Sequence, residues 1–270
     1  MNHPDRRRRV LSVTHDRNTG RTVGKVQLAP LSSLVAGVFA LALLDAVGEV
    51  SAIGWMAGFT YLFVSNALIA RGLRTRGMLR FGPANAATAA RSTLVGVVTA
   101  LVATSFTASV PPLLIAGIAA PALALDAVDG WIARRTGTQS ELGARFDMEV
   151  DAFLLLVLSL FVAGDLGWWI VSIGALRYLF VVAGWMLPWM NQALPYRYWR
   201  KVVTAVAGIA LVVAASGLFA LWFSLAATLI ALALLLESFG RDVLWLWRER
   251  GAVVPRGFEV RPLDTLGDRT

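Results

Sequence analysis

Eight long apolar runs, separated by short polar segments, set the strongest limit on how this sequence can fold. They cover roughly residues 28–48, 52–70, 92–110, 112–133, 146–164, 167–188, 202–219 and 221–239. A helix needs about 20 apolar residues to cross a bilayer. The chain is also only 16% charged, whereas soluble domains carry about 25%. The sequence therefore predicts an all-α, polytopic membrane protein.

The distribution of lysine and arginine predicts the orientation of these spans. If the N-terminus is cytoplasmic and eight spans alternate, the outer turns near Gly48, Ser109, Asp165 and Ser216 carry no lysine or arginine. The net charge of +8 then lies in the tails and inner segments, as the positive-inside rule predicts. We expect a protein of the cell membrane with both termini in the cytoplasm. Because the basic residues flank membrane spans, nucleic acid is not an expected partner.

Four aspartates fall where the fourth and fifth runs meet a cytoplasmic segment: Asp126, Asp129, Asp147 and Asp151. Their spacings of three and four place each pair on one helix face, and a turn at 136–138 allows the two helices to face each other. Facing carboxylates repel unless protons or cations lie between them. Oxygen-only ligands favour hard ions such as Mg²⁺, Mn²⁺ or Ca²⁺. The pattern predicts a metal site for phosphoryl chemistry. The structural alternative is that these aspartates cap helices or pair with Arg134, Arg135 and Arg145.

Two motifs resemble the CDP-alcohol phosphotransferase family. Residues 126–134 read D-A-V-D-G-W-I-A-R and, after eight residues, 143–151 read G-A-R-F-D-M-E-V-D. Every fixed position of the family signature D-x-x-D-G-x-x-A-R-(eight)-G-x-x-x-D-x-x-x-D is filled. Upstream, residues 83–91 are similar to the family's P-N-x-x-T-x-x-R segment, with one extra residue after the proline. The likeness covers about residues 80–245.

The resemblance implies an architecture of six core spans, to which this chain adds two. We expect a basic cytoplasmic tail (1–27), two extra N-terminal transmembrane helices (28–70) and an interfacial amphipathic segment (71–91). A six-helix catalytic core (92–245) and a cytoplasmic C-terminal tail (246–270) follow. The resemblance implies nothing about the purpose of the two added spans. It also implies a homodimer.

The resemblance further implies a reaction and a role for each matched residue. Asp126, Asp129 and Asp147 would hold metal, expected to be two Mg²⁺ or Mn²⁺ ions, and through it the diphosphate of a CDP-alcohol. Asp151 would complete the metal cluster and act as the base on the acceptor hydroxyl, so that CMP is released. The remaining matched positions would contact the nucleotide or its phosphates: Gly130, Ala133, Arg134, Gly143, Asn85, Thr88 and Arg91. The expected donor is CDP-diacylglycerol, and the pathway is phospholipid biosynthesis.

Arg177 lies near the middle of the sixth run, where an arginine is costly unless it meets an anion or water. We interpret it as a ligand for a phosphate of the acceptor. A structural pair with an acid is the alternative. Arg197, Arg200 and Lys201 are further candidates for acceptor binding, although the positive-inside rule also explains them. Glu149 points away from the neighbouring aspartates by helical phase, and we expect it to pair with Arg145.

Three other functions remain open at this stage. A cation-coupled transporter could use the acidic cluster, but it needs a polar path to both faces, and the outer turns are short and nearly uncharged. A membrane prenyltransferase usually has denser aspartate motifs that are far apart in sequence. A catalytically idle scaffold is disfavoured by the complete signature. The favoured prediction is a metal-dependent transferase with a CDP-linked lipid and a small alcohol or alcohol phosphate as substrates.

Overall fold

The computed structural model describes residues 31–75, 83–136, 141–192 and 198–250, with side chains in 72–75, 83–87, 127–136, 141–145 and at 191 left undescribed. Across these ranges the chain forms eight α-helices and no strand, which confirms the all-α prediction. The helices are α1 (Leu31–Ala46), α2 (Ala52–Thr75), α3 (Pro83–Ser105), α4 (Pro112–Thr136), α5 (Glu141–Leu166), α6 (Val171–Met186), α7 (Tyr198–Ala215) and α8 (Leu221–Glu249).

Each predicted span corresponds to one helix, but several helices extend beyond the apolar run. α3 begins at Pro83 rather than near residue 92, and α8 continues to Glu249 rather than ending near 239. Proline is well suited to the first turn of a helix, and the alanine-rich segment after it has high helix propensity. A helix continues as long as its backbone hydrogen bonds continue, whereas an apolar run marks only the part of the helix that lies in lipid. Of the predicted interfacial segment, 71–75 belong to α2 and 83–91 to α3, so its position at the interface stays a prediction.

Within the described residues, five helices are long and apolar enough to cross a membrane by composition: α2, α3, α6 with its preceding 3₁₀ turn, α7 and α8. α1 and the apolar part of α4, Pro112–Asp126, are shorter. α5 carries Asp147, Glu149 and Asp151 within its length, which lowers its apolarity. The protein is therefore a multi-pass membrane protein.

α3 is the central helix of the bundle. It packs against α2, α4 and α5, and its side chains Val95, Val98 and Leu101 are fully buried. Glycines allow α2 to approach it closely: a Cβ at Gly54 would lie 2.7 Å from the Ala100 carbonyl oxygen. Contact between backbones through small residues is how helices pack in lipid. This position of α3 brings Ala89, Arg91 and Ser92 into the interior at one end of the bundle.

The two ends of α3 have different polar groups. At the C-terminal end, which we call the hydroxyl end, Ser51, Thr104 and Thr107 bond to one another and to the backbone. The turns on this side include Gly48 and Gly217, whose positive φ values of 79° and 65° suit glycine. The N-terminal end of α3, with the ends of α4 and α5 beside it, is called the aspartate end.

Candidate active site

One buried arginine lies between three of the four signature aspartates. The Arg91 side chain, on α3, is 0% exposed, and its Nη1 donates a hydrogen bond to Asp126 Oδ1 on α4. Its Nη2 donates to Asp147 Oδ1 at 2.9 Å, and Nη1 lies 3.7 Å from Asp151 Oδ1. The aspartates therefore meet through Arg91, from helices that are separate in sequence.

Helix geometry explains why these side chains converge. Asp147 and Asp151 lie one turn apart on α5, so both face α3, as their spacing predicts. Thr88 lies one turn before Arg91 on α3, and its hydroxyl donates to Asp147 Oδ1 at 3.4 Å. The spacing of Thr88 and Arg91 in the upstream motif thus places both on the face that meets α5.

The cluster is open on the side of the aspartates and closed on the side of the arginine. The side chains of Asp126, Asp147 and Asp151 are 41%, 30% and 22% exposed, whereas Arg91 is not exposed at all. Three carboxylates surround one guanidinium, so the ionised cluster carries excess negative charge. Lys201 at the start of α7 adds a favourable electrostatic interaction with Asp147. An accessible site with unbalanced negative charge suits a cationic ligand.

The donor chemistry fits a divalent metal ion. All three carboxylates already converge on one cation, and oxygen ligands are what Mg²⁺ and Mn²⁺ prefer. The carboxylates contact Arg91 rather than one another, and the side chains that the structure describes include no group of three acids arranged to hold a metal ion. Asp129 follows on α4, one turn after Asp126, but its side chain lies outside the described residues.

Several other predicted site residues also lie outside the described residues. The side chains concerned are those of Gly130, Ala133, Arg134 and Gly143 on α4 and α5, of Asn85 on α3, and the whole of Arg197. Their roles stay predictions. The alternative partners Arg135 and Arg145 have undescribed side chains too. Among described residues, Arg91 is the basic partner of the aspartates.

Two of the candidate acceptor residues, Arg177 and Arg200, are paired with acids. Arg177 Nη2 donates a hydrogen bond to Glu149 Oε1, so Glu149 pairs with Arg177. The expected pair of Glu149 with Arg145 stays a prediction, because the Arg145 side chain lies outside the described residues. Arg200 Nη1 lies 3.3 Å from Oδ2 of Asp242, which is buried on α8. Lys201 is exposed. These pairs stabilise arginines near lipid, as the structural alternative for Arg177 requires, and leave acceptor binding a prediction.

Two residues beside the cluster were not predicted from the sequence. Tyr61 on α2 and Ser92 on α3 place their hydroxyls next to each other, close to Arg91. Ser92 directly follows Arg91, and that adjacency was the available signal. Tyr61 gave no signal, because an aromatic residue within an apolar run is normally a lipid-facing or packing residue.

The family profile named CDP-alcohol phosphatidyltransferase matches residues 82–237, more than half of the chain. No curated protein and no solved structure matches the chain significantly. Fold and site together define an all-α membrane protein with an acidic cluster at one end of its bundle. The chain belongs to the CDP-alcohol phosphatidyltransferase family, whose members are membrane transferases of phospholipid biosynthesis and are generally dependent on divalent metal.

Proposed function

We propose that this protein transfers a phosphatidyl group from CDP-diacylglycerol to an alcohol, with release of CMP, at the cytoplasmic face of the cell membrane. The observation that supports this most is the convergence of Asp126, Asp147 and Asp151 on Arg91 at one end of the bundle. These aspartates fill the family signature. The polar head group of CDP-diacylglycerol would reach the aspartates from the exposed side of the cluster. The lipid chains of the same molecule would stay beside the apolar helices.

The chain's own residues have distinct parts in this reaction. Asp151 accepts the proton of the acceptor hydroxyl. The acceptor oxygen then forms a bond to the phosphorus on the lipid side, and the bridging P–O bond breaks with its electron pair going to CMP. Arg91 and Thr88, whose donors contact Asp147, would also bind phosphate oxygens of the donor. Gly130, Ala133 and Gly143 would let the nucleotide approach closely, and Asn85 and Arg134 would contact its polar groups, as the family resemblance implies.

Asp126, Asp129, Asp147 and Asp151 would hold two ions, Mg²⁺ or Mn²⁺. Such ions, when bound, neutralise the diphosphate charge and stabilise the leaving phosphate. The aspartates position the diphosphate in line with the acceptor. Precise placement and charge neutralisation carry most of the catalysis in phosphoryl transfer.

The acceptor is a phosphorylated alcohol, such as glycerol phosphate or inositol phosphate. Arg177, Arg197, Arg200 and Lys201 would bind its phosphate. An anionic acceptor competes with Glu149 for Arg177, so binding exchanges one anionic partner for another at little electrostatic cost. We also propose that the active protein is a homodimer, as the family resemblance implies.

The test is acceptor-dependent CMP release. Membranes that contain the protein are supplied with Mg²⁺ or Mn²⁺, labelled CDP-diacylglycerol and one acceptor at a time: glycerol phosphate, inositol phosphate, inositol, serine or a second lipid alcohol. We expect CMP release with one phosphorylated acceptor and loss of that signal in Asp147→Asn. Asp165→Asn is the matched control, because Asp165 is an exposed aspartate at the other end of α5.

The result has two informative alternatives. Release with a neutral acceptor would keep the reaction and overturn the proposed role of the basic residues. Failure of folded protein to bind CDP-lipid or release CMP would overturn the proposed reaction, and a cation-coupled transporter or an idle scaffold would take its place.

A further inference from the structure

Tyr61 links the N-terminal helices to the aspartate cluster. It lies on α2, outside the residues 82–237 that match the family profile. Its ring is stacked on Phe153, with centroids 4.7 Å apart and an interplanar angle of 18°. Phe153 lies on α5, two residues after Asp151. The contact therefore joins an added helix to the helix that carries two signature aspartates.

The Tyr61 hydroxyl is buried beside the cluster. It lies next to the Ser92 hydroxyl, with Arg91 and Asp151 within electrostatic reach. Neither hydroxyl makes a hydrogen bond of good geometry within the described part of the chain. Buried hydroxyls are nearly always hydrogen-bonded, so an exception beside a reactive cluster calls for a functional explanation.

The packing of α2 on α3 is built to let Tyr61 reach this position. A Cβ at Gly96 on α3 would lie 2.6 Å from Leu62 Cδ2 and 3.2 Å from Tyr61 Cδ1. One turn along, a Cβ at Gly58 would lie 2.7 Å from the Ala100 Cβ. A Cβ at either position would force neighbouring atoms to shift, so these glycines permit the close contact between α2 and α3 at the level of Tyr61.

We infer that Tyr61 is a positioning residue for Arg91 and Asp151, so that the α1–α2 hairpin is part of the catalytic unit. When phosphate oxygens of a substrate draw the Arg91 guanidinium away from Asp151, the Tyr61 phenol supplies a neutral hydroxyl beside the cluster that helps to keep that carboxylate in place. The two added helices then act on the reaction itself. This inference rests on the proposed function.

The kinetic test uses Tyr61→Phe, which removes the hydroxyl and keeps the stacked ring. With the CMP-release assay on purified protein, we expect kcat to fall about tenfold, as for loss of a group that orients a reactive side chain. The KM values for the CDP-lipid and for the acceptor should stay within about twofold of wild type, because no substrate contact is removed. Ser65→Ala is the control: it removes another buried α2 hydroxyl, which donates to its own backbone at Leu62. It should leave kcat unchanged.

A second measurement does not depend on activity. Tyr61→Phe and Arg91→Lys are combined in a double-mutant cycle on the thermal unfolding midpoint in detergent. We expect the two shifts in midpoint to be non-additive by about 2 °C or more, because the Tyr61 hydroxyl and the Arg91 guanidinium both act on the Asp151 carboxylate. The pair Ser65→Ala and Arg91→Lys should be additive.

The outcomes separate the inference from the proposed function. An unchanged kcat in Tyr61→Phe, with active wild type, overturns the inference and leaves the function standing. Wild type that is inactive with every donor and acceptor overturns the function, and the cycle then decides whether Tyr61 is coupled to Arg91. Additive midpoint shifts would overturn that coupling.

Discussion

The two ends of α3 use polar side chains in different ways. At the hydroxyl end, Thr104 Oγ1 accepts from the Ser51 backbone N–H at 3.0 Å and donates to the Ala100 carbonyl at 2.9 Å. At the aspartate end, Arg91 faces three carboxylates that outnumber its charge. The hydroxyl end satisfies its polar groups within the protein, which is what stability requires. The aspartate end has an excess of negative charge, which is what a site for a cationic ligand requires.

The largest difference between the ends should appear in activity. Asp151→Asn keeps the size of the side chain but removes its capacity to accept a proton. We expect CMP release to fall about 1,000-fold, within the range for loss of a general base. The thermal midpoint should change little, because two carboxylates still pair with Arg91 and the repulsion among the aspartates falls. Activity within tenfold of wild type would show that Asp151 is not the base.

Removal of Arg91 should impair both activity and stability. Arg91→Leu leaves three carboxylates beside one another without their buried partner. We expect the free energy of unfolding to fall by about 3 kcal/mol, as when a buried ion pair loses one member. Urea or thermal unfolding in detergent measures it. Addition of Mn²⁺ should recover part of the loss, and a variant as stable as wild type would contradict the account.

At the hydroxyl end the expected effect is on packing alone. In Gly54→Ala the new Cβ would lie 2.1 Å from Thr104 Oγ1 and 2.7 Å from the Ala100 carbonyl oxygen. We expect destabilisation by about 2 kcal/mol, typical of overpacking, with kcat of the folded fraction unchanged. Gly117→Ala is the control, because nothing lies within 4 Å of its Cβ position. A lower kcat in Gly54→Ala at equal folded amount would show that the two ends are coupled.

The smallest expected effect comes from a single hydroxyl. Thr104→Val removes the acceptor for the Ser51 backbone N–H while keeping the shape of the side chain. We expect a loss of about 1 kcal/mol in unfolding free energy, the usual value for one hydrogen bond, and full activity. A loss of activity comparable to that of Asp151→Asn would contradict the division between the two ends.

The fold was largely predictable because the apolar runs are long and the turns between them short. The eight helices in the described part of the chain follow the predicted spans, and the aspartate spacing correctly placed Asp147 and Asp151 on one face. The helix ends were less predictable: α3 and α8 continue past their apolar runs, because helical hydrogen bonding does not depend on lipid.

The partners within the site were harder to predict than its aspartates. Periodicity places Asp126 and Arg91 on helix faces but does not determine which helices pack together. The pairing of Arg91 with the aspartates depends on the packing of α3 against both α4 and α5. The pairs Arg177–Glu149 and Arg200–Asp242 likewise join helices whose adjacency has no signal within either run.

The most direct test of the account is metal-dependent CMP release by purified protein. The protein is treated with a chelator, supplied with CDP-diacylglycerol and the active acceptor, and titrated with Mn²⁺, in wild type and in Asp126→Asn. The account predicts no release without metal, full recovery in wild type, and a requirement in Asp126→Asn for about 10-fold or more Mn²⁺, because one oxygen ligand is lost. Release that persists under chelation, or equal Mn²⁺ dependence in the two proteins, would contradict the claim that this carboxylate cluster holds the catalytic metal.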